Sequence, residues 1–290
     1  MEQVRTTAEI TAALQEGIRS LCTSDRYQAY LRAMSYFHGY SFNNTVLIFQ
    51  QKPDATLVAG YRVWQTRFCR QVRRGEKAIR IFAPMRISVQ RRDSDDSEQI
   101  LRYRAASVFD ISQTAGKELP SSLVSMLSKD VPDYSILLRA LIHSSPVPVF
   151  FSSSHSDTNG FFDPTAQRIS IKNGLPQAQT IKTLIHEIAH AIMHGGEEKM
   201  DPRVREIEAE SVAYTVCQRF GIDASDYSFG YIAGWSASHD TRELQASMER
   251  ICRASDQLIS ALSASFCPAA PLLLRSEETA GSLELSHGAE

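Results

Sequence analysis

The sequence predicts an α+β protein of two domains: an N-terminal domain of helices and an antiparallel sheet, and a mainly helical C-terminal domain with a small sheet. Three observations lead to this fold class. Short strand-like segments follow a helical stretch in the first half, long segments with helical apolar spacing dominate the second half, and a polar connector separates the two. A chain of 290 residues is long enough to form two cores. We therefore place the domains at residues 1–125 and 126–267, followed by a disordered tail at residues 268–290.

The N-terminal domain begins with helices and continues with strands. Residues 1–38 have mostly helical spacing, with Thr6 or Thr7 as the N-cap, and Asn43 and Asn44 are expected to cap the next helix rather than to touch a ligand. A short helix or turn is predicted over residues 61–68. Strands are predicted over residues 71–73, 78–82, 86–90 and 101–110, with a polar hairpin loop at residues 93–98.

The C-terminal domain follows a connector at residues 113–133 that contains Ser, Pro and Lys. A helix is predicted over residues 134–144 and a strand over residues 147–151. A hairpin comes next, and its strands flank Asp163 and Pro164. Amphipathic helices are then predicted over residues 180–194, 203–220 and 241–264.

The most informative motif is His-Glu-Ile-Ala-His at residues 186–190, inside the first of these amphipathic helices. Positions i and i+4 of an α-helix lie on the same side, about 6 Å apart along the axis. His186 and His190 can therefore bind one Zn²⁺, and Glu187 beside them is assigned as the catalytic general base that takes a proton from the attacking water. The aliphatic residues of this segment fall on the opposite side, as expected for a helix between a core and a cleft. The alternative is a surface helix that carries two histidines by chance.

A third metal ligand is expected from the next helix, because catalytic zinc usually has three protein ligands. On a helical wheel of residues 203–220, Glu206 lies inside the apolar sector, Glu210 at its edge and Glu208 on the polar side. A carboxylate on a buried face is costly unless it is paired or binds a metal, so Glu206 is predicted as the ligand. Glu210 is predicted to accept a hydrogen bond from a ligand histidine. Exchanged roles for Glu206 and Glu210 remain open, and Glu208 is expected to be a solvated surface charge.

Charge is distributed unevenly along the chain. Residues 1–150 carry 20 Lys and Arg against 14 Asp and Glu, whereas residues 151–290 carry 11 against 19. Ten basic side chains and one acid, Glu76, lie between positions 61 and 92. Interleaved aromatic residues offer ring faces for unpaired bases, which favours single-stranded nucleic acid as a partner, although a basic sheet edge with aromatic core residues fits equally well. The predicted DNA contacts are Arg62, Arg70, Arg73, Arg74 and Lys77.

Composition narrows the class of protein further. No apolar run is long enough to span a membrane. The first residues do not have the basic segment followed by an apolar run that is typical of a signal peptide. The five cysteines form no CxxC pair, so a reducing cytoplasm is expected. The sequence does not identify the group that stabilises an oxyanion, for which Tyr214, Tyr227, Tyr231 and His239 are candidates.

Several segments together resemble the ArdC-like antirestriction proteins. LIHEIAHAIMH followed by EIEAESVAY resembles their metallopeptidase half, and more distantly the ImmA/IrrE-type zinc peptidases, in which a glutamate is followed by Ala three residues on, as Glu206 is by Ala209. YSFNNTVLIFQQKPDATLVAGYRVWQ, RQVRRGEKAIRIFAP and VFDISQT resemble their N-terminal single-strand DNA-binding domain. The chain departs from that pattern at Phe68-Cys69, where a glycine is expected. His194 repeats a histidine often seen after the motif in such sequences, and we interpret it as cleft lining.

The resemblance implies a zinc peptidase of a mobile element such as a plasmid, joined to a DNA-binding domain and associated with protecting DNA from restriction. A peptide or protein substrate and single-stranded DNA are the expected partners. Two alternatives stay open: a DNA-binding protein whose zinc is only structural, and a protease that cleaves a repressor. The presence of Glu187 favours catalysis, because a structural site needs no general base, and the basic segment counts against the repressor protease.

Overall fold

Three helices open the chain, α1 (Thr7–Ser20), α2 (Ser24–Tyr36) and α3 (Phe42–Gln51). The structure, a computed structural model, describes residues 6–21, 23–90, 97–119, 133–153, 158–196, 200–225, 227, 229 and 241–266. Thr6 caps α1: its hydroxyl accepts the Glu9 N–H at 3.2 Å, and the Glu9 carboxylate accepts the Thr6 N–H at 2.7 Å. This reciprocal pair confirms Thr6 as the N-cap, one of the two candidates.

The predicted caps of α3 were wrong. Ser41 is the N-cap, and its hydroxyl accepts the Asn44 N–H at 3.4 Å. Asn44 lies inside the helix, where its side chain donates to the Phe82 carbonyl and accepts from the Phe82 N–H, both at 2.9 Å. A short amide side chain can satisfy a strand backbone in this way, so Asn44 holds α3 against the sheet instead of capping a helix.

The first half continues with β1 (Val58–Gly60), α4 (Tyr61–Thr66), β2 (Arg70–Val72), β3 (Ile79–Gln90), β4 (Ser97–Asp110) and β5 (Thr114–Gly116). One antiparallel sheet has the order β1-β4-β3, and β2 pairs with β5 in a second. The two strands predicted over residues 78–90 are one strand, paired without a break from Ile79–Val108 to Gln90–Ser97. Pro84 is tolerated in it because β3 lies at the edge of this sheet and the N–H groups at the alternate positions Arg80 and Phe82 point away from β4, to Gln51 and Asn44. Most of the predicted loop at residues 93–98 lies outside the described residues.

The second half contains α5 (Tyr134–Ser144), β6 (Val149–Ser152), β7 (Gly160–Asp163), β8 (Arg168–Lys172), α6 (Gln177–His194), α7 (Pro202–Arg219) and α8 (Thr241–Phe266). The strands form a mixed sheet of order β6-β8-β7, in which β6 runs parallel and β7 antiparallel to β8. The predicted hairpin is confirmed: the Asp163 carboxylate accepts the N–H groups of Thr165 and Ala166 in the turn.

A continuous hydrophobic core joins the two halves. Helix α7 is packed against α2 from the first half and against α6 and α8 from the second. Between α2 and α7, the Tyr27 hydroxyl lies 2.8 Å from the Ser211 hydroxyl, and both residues are fully buried. The α+β fold class is confirmed. The predicted boundary at residue 125 falls outside the described residues and stays a prediction, as does the tail at residues 268–290.

Among the residues that the structure describes, no helix combines the length and the apolar character needed to cross a membrane.

Candidate metal centre

Helix α6 places the histidines of the motif on the side away from the core. Its aliphatic residues are buried against the sheet and the neighbouring helices: Ile181, Leu184, Ile185 and Ile188 are at most 2% exposed. His186 and His190 are half-buried on the opposite side, and their rings lie edge to face with centroids 4.7 Å apart. The amphipathic spacing that predicts the helix therefore also orients the two imidazoles.

Three donor atoms converge from α6 and α7. His186 Nε2 and His190 Nε2 lie 3.1 Å apart, and each lies 3.4 Å from a carboxylate oxygen of Glu206. Tetrahedral zinc with bonds of about 2.0–2.1 Å separates its ligand atoms by about 3.3 Å. The donor set of two imidazoles and one carboxylate, and its spacing, therefore fit a first-row divalent metal such as zinc.

The structure brings Glu206 to the two histidines, but the prediction that it lies on a buried face of its helix was wrong. The Glu206 side chain is 60% exposed, so it does not lie on a buried face. The contacts with the His186 and His190 imidazoles hold the pKa of the Glu206 carboxyl well below the ordinary value for a glutamate. Glu206 lies on an exposed side of α7 that contacts the two histidines of α6, so its place at the centre does not depend on burial.

Glu208 was expected in solvent and is instead fully buried. The helical wheel of α7 has no solvated side at this position, because α2, α6 and α8 enclose the helix. The Glu208 carboxylate accepts hydrogen bonds from three side chains: Ser247 at 2.5 Å, Arg250 at 2.5 Å and His194 at 3.0 Å. Burial raises the pKa of Glu208, but the hydrogen bonds from His194, Arg250 and Ser247 outweigh it and the pKa is lowered. A buried carboxylate with these partners remains ionised at neutral pH.

His194, interpreted as cleft lining, is instead a buried residue at the end of α6, with a side chain that is 3% exposed. Its Nδ1 lies 3.1 Å from Nδ1 of His190, and its Nε2 lies 3.0 Å from Glu208 Oε2. His194 therefore connects a candidate ligand to the buried carboxylate. The repeated spacing of four residues from His186 to His190 to His194 places all three rings in one row on the helix.

Glu187 lies in the wall of a cleft of about 330 Å³ beside the candidate metal centre. The residue is 7% exposed, and burial raises its pKa, although His186, His190 and a hydrogen bond from the backbone of Phe162 act in the other direction. A buried carboxylate next to two imidazoles is suited to taking and giving a proton. Burial lowers the pKa of His186, but the hydrogen bond to Glu206 and the nearby carboxylates outweigh this effect and raise it.

The rest of the cleft includes residues that the sequence analysis selects, Glu210 and Tyr227, and others that it does not, among them Lys182 and Gln179. Glu210 lies in its lining together with Glu187, and the acceptor that the structure shows behind a candidate ligand is His194, backed by Glu208. The lining residues are Asn159, Gly160, Gln179, Lys182, Thr183, His186, Glu187, Glu210 and Tyr227. Lys182 precedes His186 by one turn of α6, a signal that the spacing could have provided. Of the candidates for oxyanion stabilisation, Tyr227 lies here, and Tyr214 is buried against the Tyr227 ring, with centroids 6.1 Å apart. Residues 231 and 239 lie outside the described part of the chain.

The predicted DNA contacts divide into two groups. The Arg70 guanidinium donates to Thr114 and to the Lys117 carbonyl, and that of Arg73 donates to Glu76 and to the Ser112 carbonyl, so both groups have partners within the protein.

Three of the predicted cations, Arg62, Arg74 and Lys77, occupy exposed positions. Cys69, at the position where a glycine is expected, has a φ of +52°, the left-handed conformation that glycine adopts at low cost. The local turn is therefore the one that a glycine would make.

Two family models match the chain. Residues 2–109 match the N-terminal domain of anti-restriction factor ArdC, and residues 104–210, which include the candidate metal centre, match the "Putative metallopeptidase family (DUF6782)". The chain is an ArdC-like protein. It joins an ArdC-type N-terminal domain to a metallopeptidase-like segment.

Individual relatives of this ArdC-like protein are distant. The uncharacterized protein pXO2-81 of Bacillus anthracis is 24% identical over 275 residues, which cover 79% of this chain and 46% of that protein, so the chain spans about half the length of this curated relative. The crystal structure of the antirestriction ArdC protein from the R388 plasmid in its Mn(II)-bound form is 20% identical, covers 77% of this chain and 85% of that chain, and has a TM-score of 0.51. Its metal-free structure gives a TM-score of 0.49 with 19% identity, over 82% of this chain and 85% of that chain. At this identity the Mn(II)-bound structure shows a shared fold alone.

Proposed function

We propose that the protein is a zinc-dependent peptidase joined to a single-strand DNA-binding domain, and that it protects the DNA of a mobile element from restriction. The observation that carries the peptidase proposal is the convergence of His186, His190 and Glu206, next to a cleft that His186 and Glu187 line. The ArdC-type match and the exposed cations of the first half support the DNA-binding proposal. A cytoplasmic location and a protein substrate belong to the same proposal.

His186, His190 and Glu206 would hold the metal. When bound at such a site, a divalent metal polarises a carbonyl oxygen and lowers the pKa of water. Glu187 is the group that moves the proton: its carboxylate takes it from the attacking water and delivers it to the departing amine nitrogen. Lys182 and Tyr227 line the same cleft and are the candidates for binding the carbonyl oxygen of the substrate as it gains charge.

Metal content tests the ligand assignment. Elemental analysis of the purified protein is expected to find about one zinc per chain. Glu206→Ala is expected to lose most of this metal, because it removes one of three donors, whereas Glu210→Ala is expected to retain it. Because the solved relative is described with Mn(II), the same protein should be titrated with both metals. Stronger binding of Mn(II) than of zinc would overturn the choice of zinc. A Glu206→Ala protein with the metal content of the wild type would overturn the assignment of Glu206 as a ligand.

Activity tests the role of Glu187. Candidate restriction-system proteins should be incubated with the wild-type protein, with Glu187→Gln and with Glu249→Gln, each with and without single-stranded DNA. Glu249 lies on α8, where its carboxylate accepts from Gln245 at 3.0 Å, so it controls for the loss of one charge. Glu187→Gln is expected to keep the metal and lose cleavage. Cleavage at the wild-type rate would remove Glu187 from the mechanism, and metal binding without cleavage of any candidate would favour a structural site.

Salt dependence tests the DNA proposal. Each phosphate contact to a single strand contributes about 0.7 to the slope of log affinity against log salt concentration. Arg74→Glu is expected to weaken binding and to reduce this slope by about that amount. Arg139→Glu, an exposed residue on α5, is the matched charge reversal and should leave the slope unchanged. The same affinity for Arg74→Glu and wild type would exclude the proposed surface.

A further inference from the structure

A chain of hydrogen bonds leads from the candidate metal centre into the interior behind His190. The first link joins His190 Nδ1 to His194 Nδ1 at 3.1 Å, and the second joins His194 Nε2 to Glu208 Oε2 at 3.0 Å. We propose that His194 and Glu208 are positioning residues, which fix His190 in the tautomer that leaves its Nε2 free to bind a metal. This inference rests on the proposed function, because it assumes a metal at the centre.

The direction of every proton in this chain follows from Glu208. Its Oε1 accepts from Ser247 Oγ and from Arg250 Nη2, both at 2.5 Å, so Oε2 is the oxygen that faces His194. An ionised carboxylate accepts and cannot donate, so His194 Nε2 must carry a hydrogen. We take His194 as the neutral ring, which has one such hydrogen, so its Nδ1 is the acceptor. His190 Nδ1 must then be the donor in the first link.

The result is a lone pair on His190 Nε2. This atom lies 3.1 Å from His186 Nε2 and 3.4 Å from Glu206 Oε1, at the point where the three donors converge. The other tautomer of His190 would place a hydrogen there and would exclude a metal. Histidine ligands generally need an acceptor behind them to fix the ring and its tautomer, and loss of that acceptor typically costs 10–100-fold in metal affinity.

Two features separate this arrangement from an incidental buried pair. The side chains of His194 and Glu208 are 3% and 0% exposed, so water does not replace either partner. Glu208 is itself anchored by Ser247 and Arg250 from α8, which means that the orientation of a ring on α6 is set by two other helices. A carboxylate whose Oε1 is held at 2.5 Å by two donors, and whose Oε2 has His194 as its nearest partner, fixes the orientation of that histidine.

Glu208→Gln tests the proton direction directly. Ser247 Oγ and Arg250 Nη2 both donate to Oε1 at 2.5 Å, whereas Oε2 has His194 Nε2 at 3.0 Å and only the longer contact from Arg250 Nε at 3.3 Å. The glutamine carbonyl is therefore expected to take the place of Oε1 and its NH₂ to face His194. Donation from this NH₂ reverses the chain: His194 then carries its hydrogen on Nδ1, and His190 carries its own on Nε2. The dissociation constant for Zn²⁺, measured on the full chain by competition with a chromophoric chelator, is expected to rise about 10–100-fold.

Asp256→Asn is the matched control. Asp256 lies on α8 and contacts His38 Nδ1 at 2.9 Å, so this variant also removes the charge of a carboxylate paired with a histidine. It is expected to bind Zn²⁺ as the wild-type protein does. The melting temperature of each metal-free variant shows whether the fold is kept. A folded Glu208→Gln protein with the wild-type dissociation constant, or an equal loss in Asp256→Asn, would overturn the inference.

A second readout uses the wild-type protein and remains decisive if the variant does not fold. Long-range ¹H–¹⁵N correlation spectra of the zinc-loaded chain, labelled at its 8 histidines, report which ring nitrogen carries a hydrogen. His194, assigned from the signal lost in His194→Asn, is expected to be protonated at Nε2 and not at Nδ1, and the opposite pattern would overturn the inference. Both readouts concern metal binding, so failure to cleave any substrate would refute the proposed function alone. A wild-type protein that binds no zinc would overturn both.

Discussion

Replacing Arg250 with methionine should destabilise the protein by about 3 kcal/mol, because it leaves the Glu208 carboxylate buried without a cation. Glu208 is fully buried, and both Nε and Nη2 of Arg250 donate to it. Breaking a buried ion pair from one side typically costs about 3–5 kcal/mol. The lower value applies here, because Arg250 is itself 26% exposed and because Ser247 and His194 continue to donate.

Urea denaturation of the metal-free protein, followed by far-ultraviolet circular dichroism, measures this cost. For a slope of about 3 kcal/mol/M, the midpoint should fall by about 1 M. Arg253→Met on the same helix is the control: Arg253 is exposed, so the free energy of unfolding should change by less than about 0.5 kcal/mol. Equal midpoints for Arg250→Met and Arg253→Met would refute the reasoning.

A double variant separates the buried charge from lost packing. Glu208→Gln removes the carboxylate that Arg250→Met leaves unpaired, so the double variant should be more stable than the sum of the two single effects indicates. Residues in direct contact typically show a coupling of about 0.5–3 kcal/mol. Strict additivity would mean that Arg250 stabilises the protein through its methylene groups, and the electrostatic account of Glu208 would then fail.

Three further predictions concern the rest of the chain. Tyr27→Phe removes the buried hydroxyl that contacts Ser211 between the two halves, and should cost about 1 kcal/mol in the same denaturation assay; no loss would mean that the contact contributes nothing. Gly116→Ala should cost about 2 kcal/mol, because Gly116 has a φ of +142° and its Cβ would lie 2.6 Å from the Cys69 carbonyl; an unchanged midpoint would contradict this. Iodoacetamide at pH 8 should label Cys69 and spare Cys217, whose pKa burial raises to about 12, as peptide mass spectrometry would show; early labelling of Cys217 in the folded protein would disprove its protection.

Features set by local spacing could be predicted from the sequence. The helices around residues 134–144, 180–194 and 203–220 and the turn at Asp163 depend on periodicity, on capping and on an Asx turn, all of which act within a few residues. The row of imidazoles on α6 belongs to the same class, because a spacing of four residues fixes their common side. These patterns identified the secondary structure and the candidate ligands of one helix.

Features set by tertiary packing could not be predicted in the same way. The polar side of α7 looks solvated on a helical wheel, but α8, which begins 22 residues after α7 ends, covers it and buries Glu208. The residues near Glu208 in the sequence do not indicate that Arg250, which is distant in the sequence, compensates its charge. The same limit applies to Arg70 and Arg73, whose positive charge suggests contact with DNA. In the structure each guanidinium instead donates to a backbone carbonyl near β5, that of Lys117 for Arg70 and that of Ser112 for Arg73.

Helix α7 links the candidate centre to the ArdC-type half of the chain. Glu206 lies five residues before Ser211, which contacts Tyr27 of α2, and Glu208 on the same helix faces α8. Removing residues 1–125 would therefore expose a wholly buried side of α7 and loosen the element that carries the third candidate ligand. We expect a fragment of residues 126–267 to bind zinc much more weakly than the full chain, because three donors must be held together to act as one site. An isolated fragment with full zinc affinity would show instead that α6, α7 and α8 define the centre without the first half.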